Sequence, residues 1–200
     1  MSSHHFVREG QEPALVILDA LSFDIVAPLL EWAPLVIVAQ QAVEDVMLWN
    51  IKMDVVLAEE KSVEELTGRL ADQSPLTILA HTGDESPLLN ALYFLIRKKQ
   101  HGVNVFCSNA DEVITLAGRL ADQLQISVID RTIKWSAVSA GHFDKWMAAK
   151  TPIFLRKSQV KQSIVLAGLE QVGDHYESST DGLIRLQCEA LFWVGEPYFS

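Results

Sequence analysis

The chain has 200 residues, 49% of them hydrophobic and 21% charged, with a formal net charge of −10, the balance of a folded protein rather than a disordered one. So acidic a chain lacks the clustered Lys and Arg that neutralise phosphate backbones, which excludes a nucleic-acid partner. Its longest apolar runs, such as 14–18 and 35–39, are strand-sized and far short of a bilayer span, so no membrane partner is expected either.

Residues Met1–Gly10 contain no apolar core of signal-peptide length. His4-His5 reads as part of a frayed terminus rather than a metal tail. The two cysteines, Cys107 and Cys188, fall in separate apolar runs and read as unpaired thiols, so a cytoplasmic location is expected.

Six short apolar runs follow in chain order: Leu15–Leu18, Leu35–Ala39, Val55–Ala58, Leu76–Ala80, Val103–Cys107 and Ile126–Ile129. Continuous apolarity is what a strand covered on both faces requires. Between the runs lie segments of helical spacing. Phe23–Trp32 and Val43–Asn50 are the first two, and Ser62–Ala71 opens on Ser62 with Glu65 three residues later, a capping-box pattern. Ser86-Pro87 starts a helix running to Lys99, with Arg97-Lys98-Lys99 complementing its C-terminal dipole. Asn109 or Asp111 caps the next, which runs to about Ala121.

Past Asp130 the pattern changes. One more amphipathic piece, His142–Ala149, precedes the short strands 152–155, 163–167, 182–186 and 191–194, separated by turn-rich segments such as Gly173-Asp174. The fold class is therefore α/β: a mostly parallel sheet with flanking helices over 1–128, followed by a small antiparallel β-sandwich domain over 129–200. The hexapeptide Gly68–Gln73 recurs as Gly118–Gln123, but the identity extends no further and marks no repeat unit.

The chain has no glycine-rich dinucleotide fingerprint, P-loop, nucleophile elbow or zinc-binding H-E-x-x-H. Two strand-end loops offer chemistry. His81-Thr82-Gly83-Asp84-Glu85-Ser86 combines a strand C-terminus, two carboxylates and a helix N-terminus able to hold an anion. An ordinary capped loop is the plainer reading of the same residues. Glu59-Glu60-Lys61-Ser62 follows the preceding strand and would line the same sheet edge. Its carboxylates suit Mg²⁺, whereas Lys61 would repel the ion and instead contact phosphate as a point charge. A solvated acidic cap is the alternative there.

The order of parts resembles thiamine pyrophosphokinase, a family with an α/β kinase domain followed by a β-sandwich that completes the thiamine site in a homodimer. The resemblance covers almost the whole chain, with eroded motifs. Where the family has D-G after the second strand, Gln40-Gln41 stand here. Its G-D-x-D-S matches Ala58-Glu59-Glu60-Lys61-Ser62, keeping the serine, replacing the first aspartate by Glu59 and the second by Lys61. Its K-D-x-T-D matches Gly83-Asp84-Glu85-Ser86-Pro87, where only Asp84 survives of two acids, and its G-G-R-x-D-H falls near 108–112, leaving Asp111. Ala167-Gly168-Leu169 and 181–186 followed by Leu191-Phe192-Trp193 resemble the thiamine domain's closing strands.

The resemblance implies Mg²⁺ and ATP as cofactors, Glu59 and Asp84 as catalytic and metal residues, and Gln40, Lys61, Ser62 and Asp111 as binding residues. It implies a homodimer with a small-molecule ligand, a nucleotide or thiamine compound, and Phe192, Trp193, Tyr198 and Phe199 are aromatic residues near the chain end suited to an interface or to the β-domain core. Three readings follow: a kinase making thiamine diphosphate and AMP from ATP and thiamine with weak or altered activity, a non-catalytic binding protein, and a purely structural dimer. Loss of carboxylates disfavours the first, because pyrophosphoryl transfer depends on metal-assisted charge neutralisation.

Overall fold

A computed structural model describes residues 12–19, 21–139, 141–157 and 163–198. The expectations for Met1–Gly10, His4-His5 and Phe199 concern residues outside these. The chain divides into two compact units, Met1–Ser108 and Asn109–Ser200. This division precedes the helix that follows Ser108, whereas the sequence reading placed its boundary after Val128.

The first unit alternates strand and helix: β1 (Ala14–Ile17), α1 (Phe23–Leu30), β2 (Val36–Ala39), α2 (Val43–Leu48), β3 (Val55–Glu59), α3 (Val63–Arg69), β4 (Thr77–His81), α4 (Pro87–Arg97) and β5 (Gly102–Phe106). The strands pair in parallel in the order β5-β1-β2-β3-β4. Every residue of β1, β2 and β5 is buried, which is why β1 and β2 read as unbroken apolar runs and β5 is broken only by the buried Asn104. Edge strand β4 is more exposed. Ser86 Oγ accepts the Leu89 N–H at 3.4 Å with Pro87 at the first helical position, so α4 starts where the sequence indicates.

The expected capping box at Ser62 does not form. A 3₁₀ turn, Glu60–Ser62, precedes α3, and the Ser62 hydroxyl makes no cap bond. It instead accepts a hydrogen bond from the Gln40 side chain, a tertiary contact that local sequence cannot reveal.

The second unit opens with α5 (Ala110–Ala117), capped by Asn109, whose Oδ1 accepts the Glu112 N–H. Strands β6 (Gln125–Ile129), β7 (Ile133–Val138), β8 (His142–Met147), β9 (Pro152–Lys157), β10 (Val165–Ala167), β11 (Leu169–Val172), β12 (His175–Ser178), β13 (Gly182–Gln187) and β14 (Phe192–Pro197) follow. They form one antiparallel sheet of order β6-β7-β14-β9-β12-β11 and a smaller one of order β10-β13-β8. Between the sheets Val138, Ile153, Ile184, Leu186, Phe192 and Val194 form a common core. The segment 142–149 is thus mainly strand: β8 pairs with β13 along its length, Trp146 facing Leu183. Phe192 and Trp193 are buried core residues, which takes them out of any interface.

The repeated hexapeptide follows its context. Gly68 and Arg69 end α3 and 71–73 form a 3₁₀ turn, whereas Gly118–Leu120 form the 3₁₀ turn after α5. Identical letters with different roles are not a structural repeat.

Candidate functional site at the carboxyl edge of the parallel sheet

Parallel pairing brings the C-terminal ends of β1 to β5 to one edge of the first unit. Strand order reverses at β1, whose neighbours are β2 and β5, and open α/β sheets place ligands in the crevice outside such a reversal.

Three side-chain groupings occupy this edge. Gln40, following β2, bridges to the loop after β3: its Nε2 donates to Ser62 Oγ at 3.0 Å and its Oε1 accepts the Glu59 N–H at 3.0 Å. The neighbouring Gln41 Nε2 donates to the Leu18 carbonyl at 2.8 Å, tying the β2 loop to the end of β1. Glu59 is ion-paired with Lys61. That hydrogen bond, and then the ammonium's charge, hold the Glu59 carboxyl below the usual carboxylate range.

His81 ends β4 in register with Glu59 and is only 7% exposed. Its Nδ1 lies 2.9 Å from the Thr82 carbonyl oxygen, which can only accept, so Nδ1 carries the proton. In the loop that follows, Glu85 Oε2 accepts from Thr82 N at 3.3 Å and from Asn90 Nδ2 at 3.5 Å. Glu85 therefore anchors the loop. Asp84 is exposed at its tip.

The third grouping was not anticipated from the sequence. Asp19, after β1, accepts hydrogen bonds at Oδ2 from Ser108 N at 2.8 Å and Ser108 Oγ at 2.6 Å. The pair joins the loops after β1 and β5, at the reversal of strand order. Nothing in the sequence shows that β1 and β5 are neighbours, so the two residues had no reason to be read together.

The structure thus joins Gln40, Ser62, Glu59 and Lys61 in one hydrogen-bonded and ion-paired cluster. No hydrogen bond or ion pair links Asp84 to it among the described residues. Asp111 lies on α5 of the second unit and pairs with Arg156, whose guanidinium sits 4.2 Å over the Trp135 ring. Among the described residues no three His, Cys, Asp or Glu side chains converge as a metal site would require. With an ammonium on the Glu59 carboxylate, these side chains do not fit a preformed Mg²⁺ cage.

No family model matches the sequence, and no curated protein matches it. Solved structures do. Thiamine pyrophosphokinase from Bacillus subtilis superposes with a TM-score of 0.71 over 94% of this chain and 100% of that one, at 13% identity. The enzyme from Candida albicans gives 0.73 over 94% and 90% at 10% identity, and the yeast enzyme 0.67 over 96% and 88% at 10% identity. No helix among the described residues is long and apolar enough to cross a membrane. Over almost its whole length this chain has the thiamine pyrophosphokinase fold, with a sequence only 10–13% identical to those three enzymes.

Proposed function

We propose that this chain is a thiamine pyrophosphokinase-like protein with an eroded acidic site, which holds a nucleotide or thiamine compound at the carboxyl edge of its parallel sheet and transfers pyrophosphate slowly or not at all. One observation carries the reading: the polar groups after β1, β2, β3 and β5 are engaged with one another. Gln40 holds Ser62 and the Glu59 backbone, Lys61 neutralises Glu59, and Ser108 occupies Asp19. Pyrophosphoryl transfer from ATP to thiamine, giving thiamine diphosphate and AMP, needs several carboxylates free to hold a divalent cation against the phosphates. In this proposal Lys61 contacts ligand phosphate as a point charge, Ser62 and Gln40 shape the loop beneath it, and Asp84 is the remaining acid of the site. Mg²⁺ and ATP are the expected cofactors of any residual activity.

The same reading makes the protein a homodimer. Its support is the fold likeness together with the exposed cross-strand pair Trp146 and Leu183, 64% and 50% accessible. Tyr198, near the chain end, is half-buried.

Thermal-shift titrations with ATP, AMP, thiamine and thiamine diphosphate, each with and without Mg²⁺, test the proposal. Stabilisation by at least one of these compounds, with little dependence on Mg²⁺, is the expected result. Absence of any shift would leave only a structural role for the fold.

A further inference from the structure

The opposite, amino edge of the same parallel sheet holds a cavity of about 660 Å³, within the range of small-molecule sites, about 300–1,000 Å³. It lies between the loop entering β2, the first residues of β3 and β4, and the C-terminal end of α4. Leu35 and Phe94 supply apolar wall. Gln100 is buried and donates Nε2 to the Glu12 carbonyl, leaving its Oε1 as an acceptor.

Two charged side chains of opposite sign line this cavity without pairing. Asp54 Oδ2 accepts the Val36 N–H at 2.9 Å, which fixes the carboxylate and leaves Oδ1 for another donor. Lys98 places its ammonium 5.6 Å from the centroid of the Phe94 ring and forms no ion pair among the described residues. An ammonium and a carboxylate close enough to touch would form a salt bridge. Lining one cavity with no salt bridge between them, they are complementary to a molecule that carries both charges itself.

We infer that this cavity binds a small zwitterion with an apolar body, the chemistry of a free apolar α-amino acid. The ligand's carboxylate is received by Lys98, its ammonium by Asp54 Oδ1, and its side chain by Leu35 and Phe94. Charge-assisted hydrogen bonds to both charged groups of the ligand give the selectivity, because a ligand lacking either charge leaves one cavity group unanswered. The inference does not rest on the proposed function, since the cavity lies at the other end of the strands from Glu59 and His81.

Isothermal titration calorimetry on the full chain, with L-phenylalanine and L-leucine as probes, tests it. Saturable binding is expected for at least one of the two. N-acetyl-L-phenylalanine, L-phenylalanine amide and glycine, which lack the ammonium, the carboxylate and the apolar body in turn, are expected to bind about ten-fold more weakly or worse. Lys98→Met should abolish the preference for the acid over the amide, and Lys98→Arg should restore it. Asp54→Asn keeps an acceptor for Val36 and should abolish the preference for the free amine. No saturable heat with either probe would overturn the inference. So would affinities indifferent to the blocked ends and to both substitutions.

Discussion

Replacing Gln40 by leucine removes the clasp that holds the loop after β3 while conserving side-chain bulk. Two part-buried hydrogen bonds are lost, from Nε2 to Ser62 Oγ and from the Glu59 N–H to Oε1, each 3.0 Å long. Each contributes about 0.5–1.5 kcal/mol net, so the expected destabilisation is about 1–3 kcal/mol. Gln40→Glu is the control: it keeps an acceptor for the Glu59 N–H, and the Ser62 hydroxyl can turn to donate to it. Its cost should therefore be smaller. Adding Ser62→Ala to Gln40→Leu should cost less than the two single changes together, with a coupling of about 0.5–1.5 kcal/mol, because they delete the same bond. Urea unfolding read by tryptophan fluorescence measures the wild type and all four variants. If Gln40→Leu unfolded at the wild-type midpoint, or if the double mutant were additive, the clasp would contribute nothing and the reasoning would fail.

Other predictions follow from single contacts. Gly195→Ala would place a Cβ 2.7 Å from the Trp135 ring and 3.0 Å from Ile133, so overpacking should cost about 1–3 kcal/mol in urea unfolding; an unchanged midpoint would contradict it. His175 is hydrogen-bonded to Asp174 and, more weakly, to Glu177, which raises its pKa above the ordinary histidine value. Its contribution to stability is therefore fully present below about pH 6.5 and is lost as pH rises through the folded-state pKa. NMR titration should show the raised midpoint, with Asp174→Asn lowering it, and a midpoint insensitive to that change would refute the assignment. Lys61→Asp removes the ammonium from Glu59 and adds a second carboxylate. Calorimetry should then show tighter Mg²⁺ binding than in the wild type, and equal binding would mean that Lys61 does not govern the site's charge.

The parallel half was legible because burial on both faces leaves a plain trace. The runs at 14–18 and 35–39 are apolar throughout, and 103–107 is apolar but for the buried Asn104, since β1, β2 and β5 have no solvent face. Caps were legible where the side chain bonds its own helix, as at Ser86 and Asn109. Ser62 carried the same local signal and failed, since Gln40 competes for its hydroxyl from another loop. In the antiparallel half, β8 alternates in burial too weakly to separate it from a helix by spacing. The β11–β12 hairpin is short and polar, and β7 lies in a stretch where no strand was read. At the site, Glu59, Lys61 and Ser62 were read together as one strand-end loop and Gln40 apart from them, and the bonding of Gln40 to that loop was not legible. Asp19 and Ser108 meet only because β5 pairs with β1, a fact of strand order rather than of sequence.

The most direct measurement is AMP release from ATP in the presence of thiamine and Mg²⁺ by the purified full-length chain. With Glu59 bound to Lys61 and no three acidic or imidazole groups convergent among the described residues, turnover should lie far below the ordinary enzymatic range of about 1–10³ s⁻¹. Thiamine-dependent AMP formation within that range would contradict an eroded site.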